Sequence, residues 1–261
     1  MKEKIAILGG GNLGASIAEG LIQNGFIRPK NIMVTRRKLK LLEHLKKKGV
    51  QVVADNCKAI STADIIIIAV KPKQCAEILE EIKPEIKTKQ ILVSVVTGVT
   101  TDQILETIGK KTTVFRVMPN TAIAIQESMS CISSVHANKT QINAVSKLFA
   151  SLGKVAMIDE ELMNASTALG ACGIAFALRF IRAATQGGIE IGFDSRTAEL
   201  IAAQTVKGAA SLLLQRGRHP EREIDLVTTP QGCTIAGLNE MEHQGFSSSL
   251  IKGIVTSFNK I

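Results

Sequence analysis

The sequence predicts an α/β domain with a doubly wound parallel sheet, followed by an all-helical domain. Three observations carry this. Over residues 1–158, short runs rich in Ile and Val alternate with amphipathic helical patterns. The first such run ends in a cluster of glycines that opens a helical pattern. From residue 159 to 261 the strand signal stops and long helical patterns replace it.

The elements follow in order. Apolar runs at 5–8, 32–35, 50–53, 65–70, 91–96 and 114–117 have the length and β-branched content of buried parallel strands. Helical patterns at 13–24, 38–48, 74–82 and 102–108 lie between them. This rhythm implies right-handed βαβ units and a sheet covered on both faces. A strand at 129–133, a helix at 140–151 and a strand at 154–157 complete the first domain. Three helical patterns then span 160–185, 195–215 and 235–259, with Gly187-Gly188 and Gly217-Arg218-His219-Pro220 at the joins. The middle one carries a small-residue stripe of Ala198, Ile201, Ala202, Thr205, Val206 and Ala209. About 100 residues of Ala-rich helices make a thin core alone, so a homodimer built through these C-terminal helices is expected.

Composition excludes several function classes. With no Trp and no Tyr, stacking platforms for single-stranded nucleic acid are nearly absent, and eight Phe do all the aromatic packing. The net charge of +9 owes much to Lys38, Lys40, Lys46, Lys47 and Lys48. These interleave with Leu39, Leu41, Leu42 and Leu45, which reads as a solvated helix face. No groove-reading motif accompanies the charge, so no nucleic-acid partner is expected; the positive field suits an anionic cofactor and substrate. Five Cys at wide spacing and with no C-x-x-C argue against a disulfide framework and for a reducing compartment. The four His form no metal-binding pattern, so no metal is expected. The N-terminus runs directly into a strand pattern, so no signal peptide is expected. The apolar stretch 165–178 is too short to span a bilayer and reads as a buried helix. A cytoplasmic protein with no membrane partner is the expectation.

The run Gly9-Gly10-Gly11-Asn12-Leu13-Gly14 fits G-x-G-x-x-G directly after a strand and at the head of a βαβ unit. Gly9 permits the turn, Gly11 lets the backbone approach a pyrophosphate, and Gly14 lets helix and strand pack closely. That context makes the first domain a Rossmann-type dinucleotide-binding domain. An NAD site carries Asp or Glu at the end of the second strand, on the ribose 2′-OH. Here Thr35-Arg36-Arg37 stands there, and hydroxyl plus guanidinium suits a 2′-phosphate. NADP(H) is therefore expected in preference to NAD(H).

Further runs carry a resemblance over nearly the whole chain. They are Ala69-Val70-Lys71-Pro72, residues 94–98, and Arg116-Val117-Met118-Pro119-Asn120-Thr121. In the helical half they are His219-Pro220 and Val227-Thr228-Thr229-Pro230-Gln231-Gly232-Cys233-Thr234. With these the chain resembles pyrroline-5-carboxylate reductase. The resemblance implies NADPH-dependent reduction of the C=N bond of 1-pyrroline-5-carboxylate to proline. It places Asn56 near the adenosine ribose, Val70, Lys71 and Pro72 along the cofactor groove, and 94–98 near the nicotinamide. It gives the substrate carboxylate to the loop from Thr229 to Thr234, with Gly232, Cys233 and Thr234 as binding residues and Thr229 and Thr234 as candidate catalytic hydroxyls. Physically, the amides of Gly232, Cys233 and Thr234 at a helix start would converge on an anion; the plain alternative is an ordinary N-cap. Assemblies beyond a dimer are compatible with the resemblance.

The chain departs from the family pattern at Ala171-Cys172-Gly173-Ile174, at Ala122, at Arg182 and at Gln231, which replaces the loop's first glycine. Two other functions stay open at this point. One is an NADP-dependent reductase of another small cyclic imine or carbonyl acid, which the changes at 171–174 would permit. The other is a non-catalytic NADP-binding regulatory module, against which the retained runs at 118–121 and 229–234 speak.

Overall fold

The computed structural model describes residues 3–109 and 111–261. The chain divides into two compact units, Met1–Cys172 together with Ile261, and Gly173–Lys260.

The first unit is built on an eight-stranded sheet. Its strands are β1 (Ile5–Leu8), β2 (Ile32–Thr35), β3 (Gln51–Val53), β4 (Ile65–Ile68), β5 (Ile91–Ser94), β6 (Thr113–Met118), β7 (Ser128–Val135) and β8 (Gly153–Met157), in the order β3-β2-β1-β4-β5-β6-β7-β8. All neighbours pair in parallel except β6 and β7. The order reverses at β1, where Leu8 pairs with Thr35 on one side and Ile68 on the other. Such a switch point opens a crevice at the carboxyl ends of the strands. The strands lack polar alternation because both faces are covered. Ile5, Ile7, Ile65 and Ile67 enter one core with Phe115 and Phe149; Ala6, Leu8, Ile66 and Ile68 enter the other with Leu79 and Ile104.

Helices α1 (Asn12–Gln23), α2 (Glu43–Lys47), α3 (Asn56–Ile60), α4 (Pro72–Ile82), α5 (Thr101–Ile108) and α6 (Lys139–Ala150) connect the strands. Reciprocal capping boxes, Thr100 with Gln103 and Asn138 with Gln141, start α5 and α6. The helix expected over 38–48 is instead a 3-10 turn, Leu39–Leu42, followed by the five-residue α2. No side chain caps its start, where the first turn tightens to 3-10 geometry, and Gly49 at φ +89° follows its end. Leu42 and Leu45 are buried while the lysines stay outside.

A helical segment follows β8: a 3-10 turn at Glu160–Leu162, then α7 (Met163–Ser166), then a π turn at Thr167–Ala171. Glu160 anchors it to the sheet. Its Oε1 accepts from Arg116 Nη1 at 2.6 Å and from the Thr101 amide at 3.1 Å, and its Oε2 accepts from Ser133 Oγ at 2.6 Å. Burial pushes this carboxyl's pKa up, but the bonds from Ser133, Arg116 and Thr101 outweigh it and hold it below the usual range.

The second unit contains α8 (Gly173–Glu190), α9 (Ser195–Arg216), α10 (Pro220–Leu226), α11 (Cys233–His243) and α12 (Phe246–Phe258). Asp194 caps α9, accepting from the Arg196 and Thr197 amides at 3.0 and 3.1 Å. Three expectations need correction. Gly187 and Gly188 do not break the helix: Gly188 packs against Ala198 of α9, and the turn comes at Gly192, φ +112°. The pattern over 235–259 is two helices, parted at Gly245 with φ +78°. The stretch 165–178 is not a buried helix within the chain: Leu169 is 66% and Leu178 59% exposed. It belongs to a longer helical stretch, Glu160–Glu190, which by length and composition could cross a membrane. In the second unit only Thr185, Ala198 and Ala202 are buried. Much of its apolar surface, Leu178, Leu200 and Leu214 included, is therefore left uncovered within that unit.

Candidate functional site

The glycine turn after β1 has the conformation its chemistry needs. Gly9 sits at φ +104°, and a Cβ there would lie 2.5 Å from the Ala69 carbonyl oxygen. A Cβ on Gly14 would lie 2.2 Å from the Gly9 oxygen, so only glycine lets α1 start this close to β1. At Gly11 a Cβ would meet nothing within 4 Å, leaving the backbone open to a ligand. Gly11 is the N-cap of α1 and lacks a side-chain capping bond, so the first-turn amides, including those of Asn12 and Leu13, are donors for an anion.

The crevice at the switch point is a groove of about 540 Å³. Gly9, Gly10 and Gly11 form its floor, and Thr35, Arg36, Arg37, Lys38 and Leu41 form the wall after β2. Ala54 and Asn56 line it from the β3–α3 turn, and Ala69, Val70 and Lys71 from the end of β4. Eight expected cofactor residues thus line one groove: Gly9, Gly11, Thr35, Arg36, Arg37, Asn56, Val70 and Lys71. Asn12, Leu13 and Gly14 lie beside it in the first turn of α1, and Pro72 opens α4 with Lys71 as its N-cap. Thr35 is buried, and its Oγ1 accepts from the Gly9 amide at 3.2 Å. Its hydroxyl therefore braces the glycine turn.

Sequence reasoning missed the far wall, formed by Gln74, Glu77, Ile78 and Glu81 of α4. The signal was available: these positions share one face of a helix that begins at Pro72. Glu81 accepts from Asn56 Nδ2 at 2.8 Å and ties the β3–α3 turn to α4. Asp55, Cys57 and Glu81 bring ligand atoms within 4.8 Å of one another. Asp55 is, however, occupied as the α3 cap, accepting from Lys58 N. Burial together with Glu81, Asp55 and Glu85 raises the Cys57 pKa, opposing the thiolate that a metal takes.

The runs at 94–98 and 118–121 meet at the ends of β5 and β6, with Thr97 Oγ1 3.9 Å from Met118 Sδ. Asn120 is central there. Its amide donates to Ser128 Oγ at 3.1 Å, its Oδ1 accepts from Ala122 N at 3.1 Å, and its Nδ2 donates to the Gly170 carbonyl in the π turn at 3.2 Å. That turn leads into 171–174, the stretch that departs from the resemblance. π turns inside helices recur at functional sites.

In the second unit, the loop from Thr229 to Thr234 starts α11. Gln231 sits at φ +60°, which accounts for a glycine being usual there. The Gly232 amide donates to the Thr229 carbonyl at 2.9 Å, so it is not available to an anion as expected. The remaining donors are the first-turn amides of Cys233 and Thr234. Gly232, not Thr234, is the N-cap, so the plain alternative for Thr234 does not hold. Cys233 is exposed and Thr234 half-buried.

Comparison with known proteins matches both halves of the chain. The model described as NADP oxidoreductase coenzyme F420-dependent matches residues 4–98, and the model described as pyrroline-5-carboxylate reductase dimerisation matches 160–261. Pyrroline-5-carboxylate reductase 2 of Dictyostelium discoideum is 45% identical, covering 99% of this chain and 92% of its own length. The chain belongs to the pyrroline-5-carboxylate reductase family. Pyrroline-5-carboxylate reductase 1 of the same organism is 47% identical over 98% of the chain, which spans about half (49%) of that longer protein. The crystal structure of the Plasmodium falciparum pyrroline carboxylate reductase with NADP bound superposes with a TM-score of 0.89 at 25% identity. It covers 99% of this chain and 96% of that one. As a family member, this reductase-type chain combines the Rossmann-like sheet domain with the helical dimerisation domain.

Proposed function

We propose that this chain reduces 1-pyrroline-5-carboxylate to L-proline with NADPH, the last step of proline biosynthesis. The observation that carries the reading is a match to named reductases over nearly the whole chain, joined to a groove built for a dinucleotide at the sheet's switch point. The groove fits the cofactor's chemistry: glycines that must lack a Cβ, a helix N-terminus for the pyrophosphate, and Arg36, Arg37, Lys38 and Lys71 for phosphate charge. NADPH, when bound, supplies the hydride for the C=N carbon. A carboxylate at that second-strand position would repel a 2′-phosphate, and its replacement by Thr35-Arg36-Arg37 supports NADPH over NADH.

The protein's own part is positioning. The amides of Cys233 and Thr234, with the Thr229 and Thr234 hydroxyls, hold the substrate carboxylate. A ring imine protonated on nitrogen is already electrophilic; addition of hydride to carbon leaves that proton on the product amine, so the balance needs no nucleophile and no metal. The solvent or a threonine hydroxyl supplies the proton that charges the imine.

The helical unit acts as a homodimer interface, with Leu178, Leu200 and Leu214 (59, 69 and 74% exposed) among the apolar side chains a second copy covers. The same contact accounts for the long apolar stretch Glu160–Glu190 without a bilayer. Five free cysteines suit the reducing cytoplasm.

Substrate identity is tested by comparing kcat/KM for the five-membered imine acid with that for its six-membered homologue and for open-chain keto acids. The five-membered ring is expected to lead. Faster turnover of another class would assign the altered 171–174 stretch to a different substrate.

A further inference from the structure

We propose that Arg36 is a positioning residue that latches the glycine turn, and that recognition of the 2′-phosphate falls to Arg37 and Lys38. This rests on the dinucleotide reading of the groove and deepens it. The three residues are consecutive, yet the structure gives them different work.

Arg36 is half-buried, and its Nη1 donates to the Gly10 carbonyl oxygen at 2.7 Å. Its own amide donates to the Val53 carbonyl at 3.1 Å, which fixes the residue between β2 and β3. The neighbouring Thr35 completes the grip: the Gly10 amide donates to its carbonyl at 2.7 Å, and the Gly9 amide to its Oγ1 at 3.2 Å. Both polar atoms of Gly10 are thus held from the end of β2. Gly10 is also walled in, since a Cβ there would lie 2.8 Å from Leu42 Cδ2 and 2.9 Å from Val34 Cγ1.

The consequence lies in the next peptide. In a planar trans peptide the carbonyl and the amide of the following residue point in opposite directions. A guanidinium holding the Gly10 oxygen therefore fixes the direction of the Gly11 N–H. The charge-assisted bond also polarises that peptide and strengthens the N–H as a donor. Gly11 is the α1 N-cap and lines the groove, with open space where its side chain would be. Arg36 thus prepares a pyrophosphate donor, and pyrophosphate is common to NADPH and NADH. Arg37 and Lys38 are exposed on the same groove wall, with their charges available to the group that distinguishes the two cofactors.

Direct titration of the full-length protein with NADPH and with NADH, followed by nicotinamide fluorescence, separates these roles. Arg36→Met is expected to weaken both nucleotides by a similar factor, roughly tenfold, leaving their affinity ratio near that of the unmodified protein. Arg36→Lys, which keeps the charge and an amine donor, should restore part of the loss for both nucleotides and guards against a folding defect in the methionine variant. Arg37→Met combined with Lys38→Met should weaken NADPH selectively and collapse the ratio. A loss in Arg36→Met confined to NADPH would make Arg36 a phosphate ligand and overturn the latch; so would unchanged affinity for both nucleotides. Because the readout is binding, it stands whichever imine is the substrate. An unmodified protein that binds neither nucleotide would instead overturn the dinucleotide groove itself.

Discussion

Thr234 carries the sharpest test among single residues. Gly232 caps α11, so Thr234→Ala removes no cap and should change the melting temperature little. It should leave NADPH affinity intact while lowering kcat and raising KM for the imine together, because a misplaced carbon leaves the hydride's path. Thr234→Ser should recover much of the loss. A variant that is destabilised yet kinetically normal would reduce Thr234 to a packing residue. At the other site, replacing Arg36 and Arg37 together by Ala should raise KM for both nucleotides through loss of the Arg36 bond to Gly10, and raise it further for NADPH through loss of Arg37; equal effects on the two would sink the NADPH preference. Gly14→Ala should abolish cofactor binding, since the new methyl would stand 2.2 Å from the Gly9 oxygen. Near-normal nucleotide affinity in that variant would mean the turn can shift at low cost. The place of the glycines and of Thr35-Arg36-Arg37 on one groove was legible from residue type and position, and that of Val70 and Lys71 from the family resemblance. The bracing by Thr35 was not, because a hydroxyl's partner depends on the fold around it. Nor was the engagement of the Gly232 amide by Thr229, which follows from the left-handed conformation of Gln231.

Among the elements, strands were the most legible. Runs of Ile and Val buried on both faces signal their own length, and β1 and β2 stand where the pattern puts them. Expected strands at 65–70 and 91–96 ran too long, because apolar residues continue past the last ladder pair into the ligand-facing ends, Ala69 to Val70 and Val95 to Val96. The short helices α3 and α10 carried no readable period, since five or seven residues cover little more than one or two turns. Glycines misled in both directions. Gly188 continues a helix where a Cβ would lie 3.0 Å from Ala198 of α9, and Gly187 continues the same helix with open space beside it, whereas Gly245 ends one through positive φ. The anchor of 160–171 on the sheet makes an element-scale prediction. Glu160 has its pKa depressed in the folded protein, so its contribution to stability is full above the unfolded carboxylate value. It is lost as pH falls through the lower folded value. Thermal midpoints measured across acid pH should therefore fall less steeply for Glu160→Gln, from a lower start at neutral pH. Parallel curves for the two proteins would show that the Arg116–Glu160–Ser133 cluster is not linked to folding.

For the whole molecule, the second unit's near absence of buried side chains is the governing fact. Each leucine taken fully out of water contributes about 1.5–3 kcal/mol, and several stand exposed on α8 and α9. Sedimentation at micromolar concentration should find a dimer or a larger assembly; a folded and active monomer would contradict the interface. The net charge of +9 adds a field that favours an anionic nucleotide and an anionic substrate, so association should slow as salt is added. The proposed function couples NADPH oxidation to the making of proline. It is tested most directly by mixing the purified protein with NADPH and 1-pyrroline-5-carboxylate, and counting nicotinamide oxidised and proline formed in the same sample. One proline for each NADPH consumed is the predicted result. NADPH that stays reduced, or is consumed with no proline appearing, would contradict it.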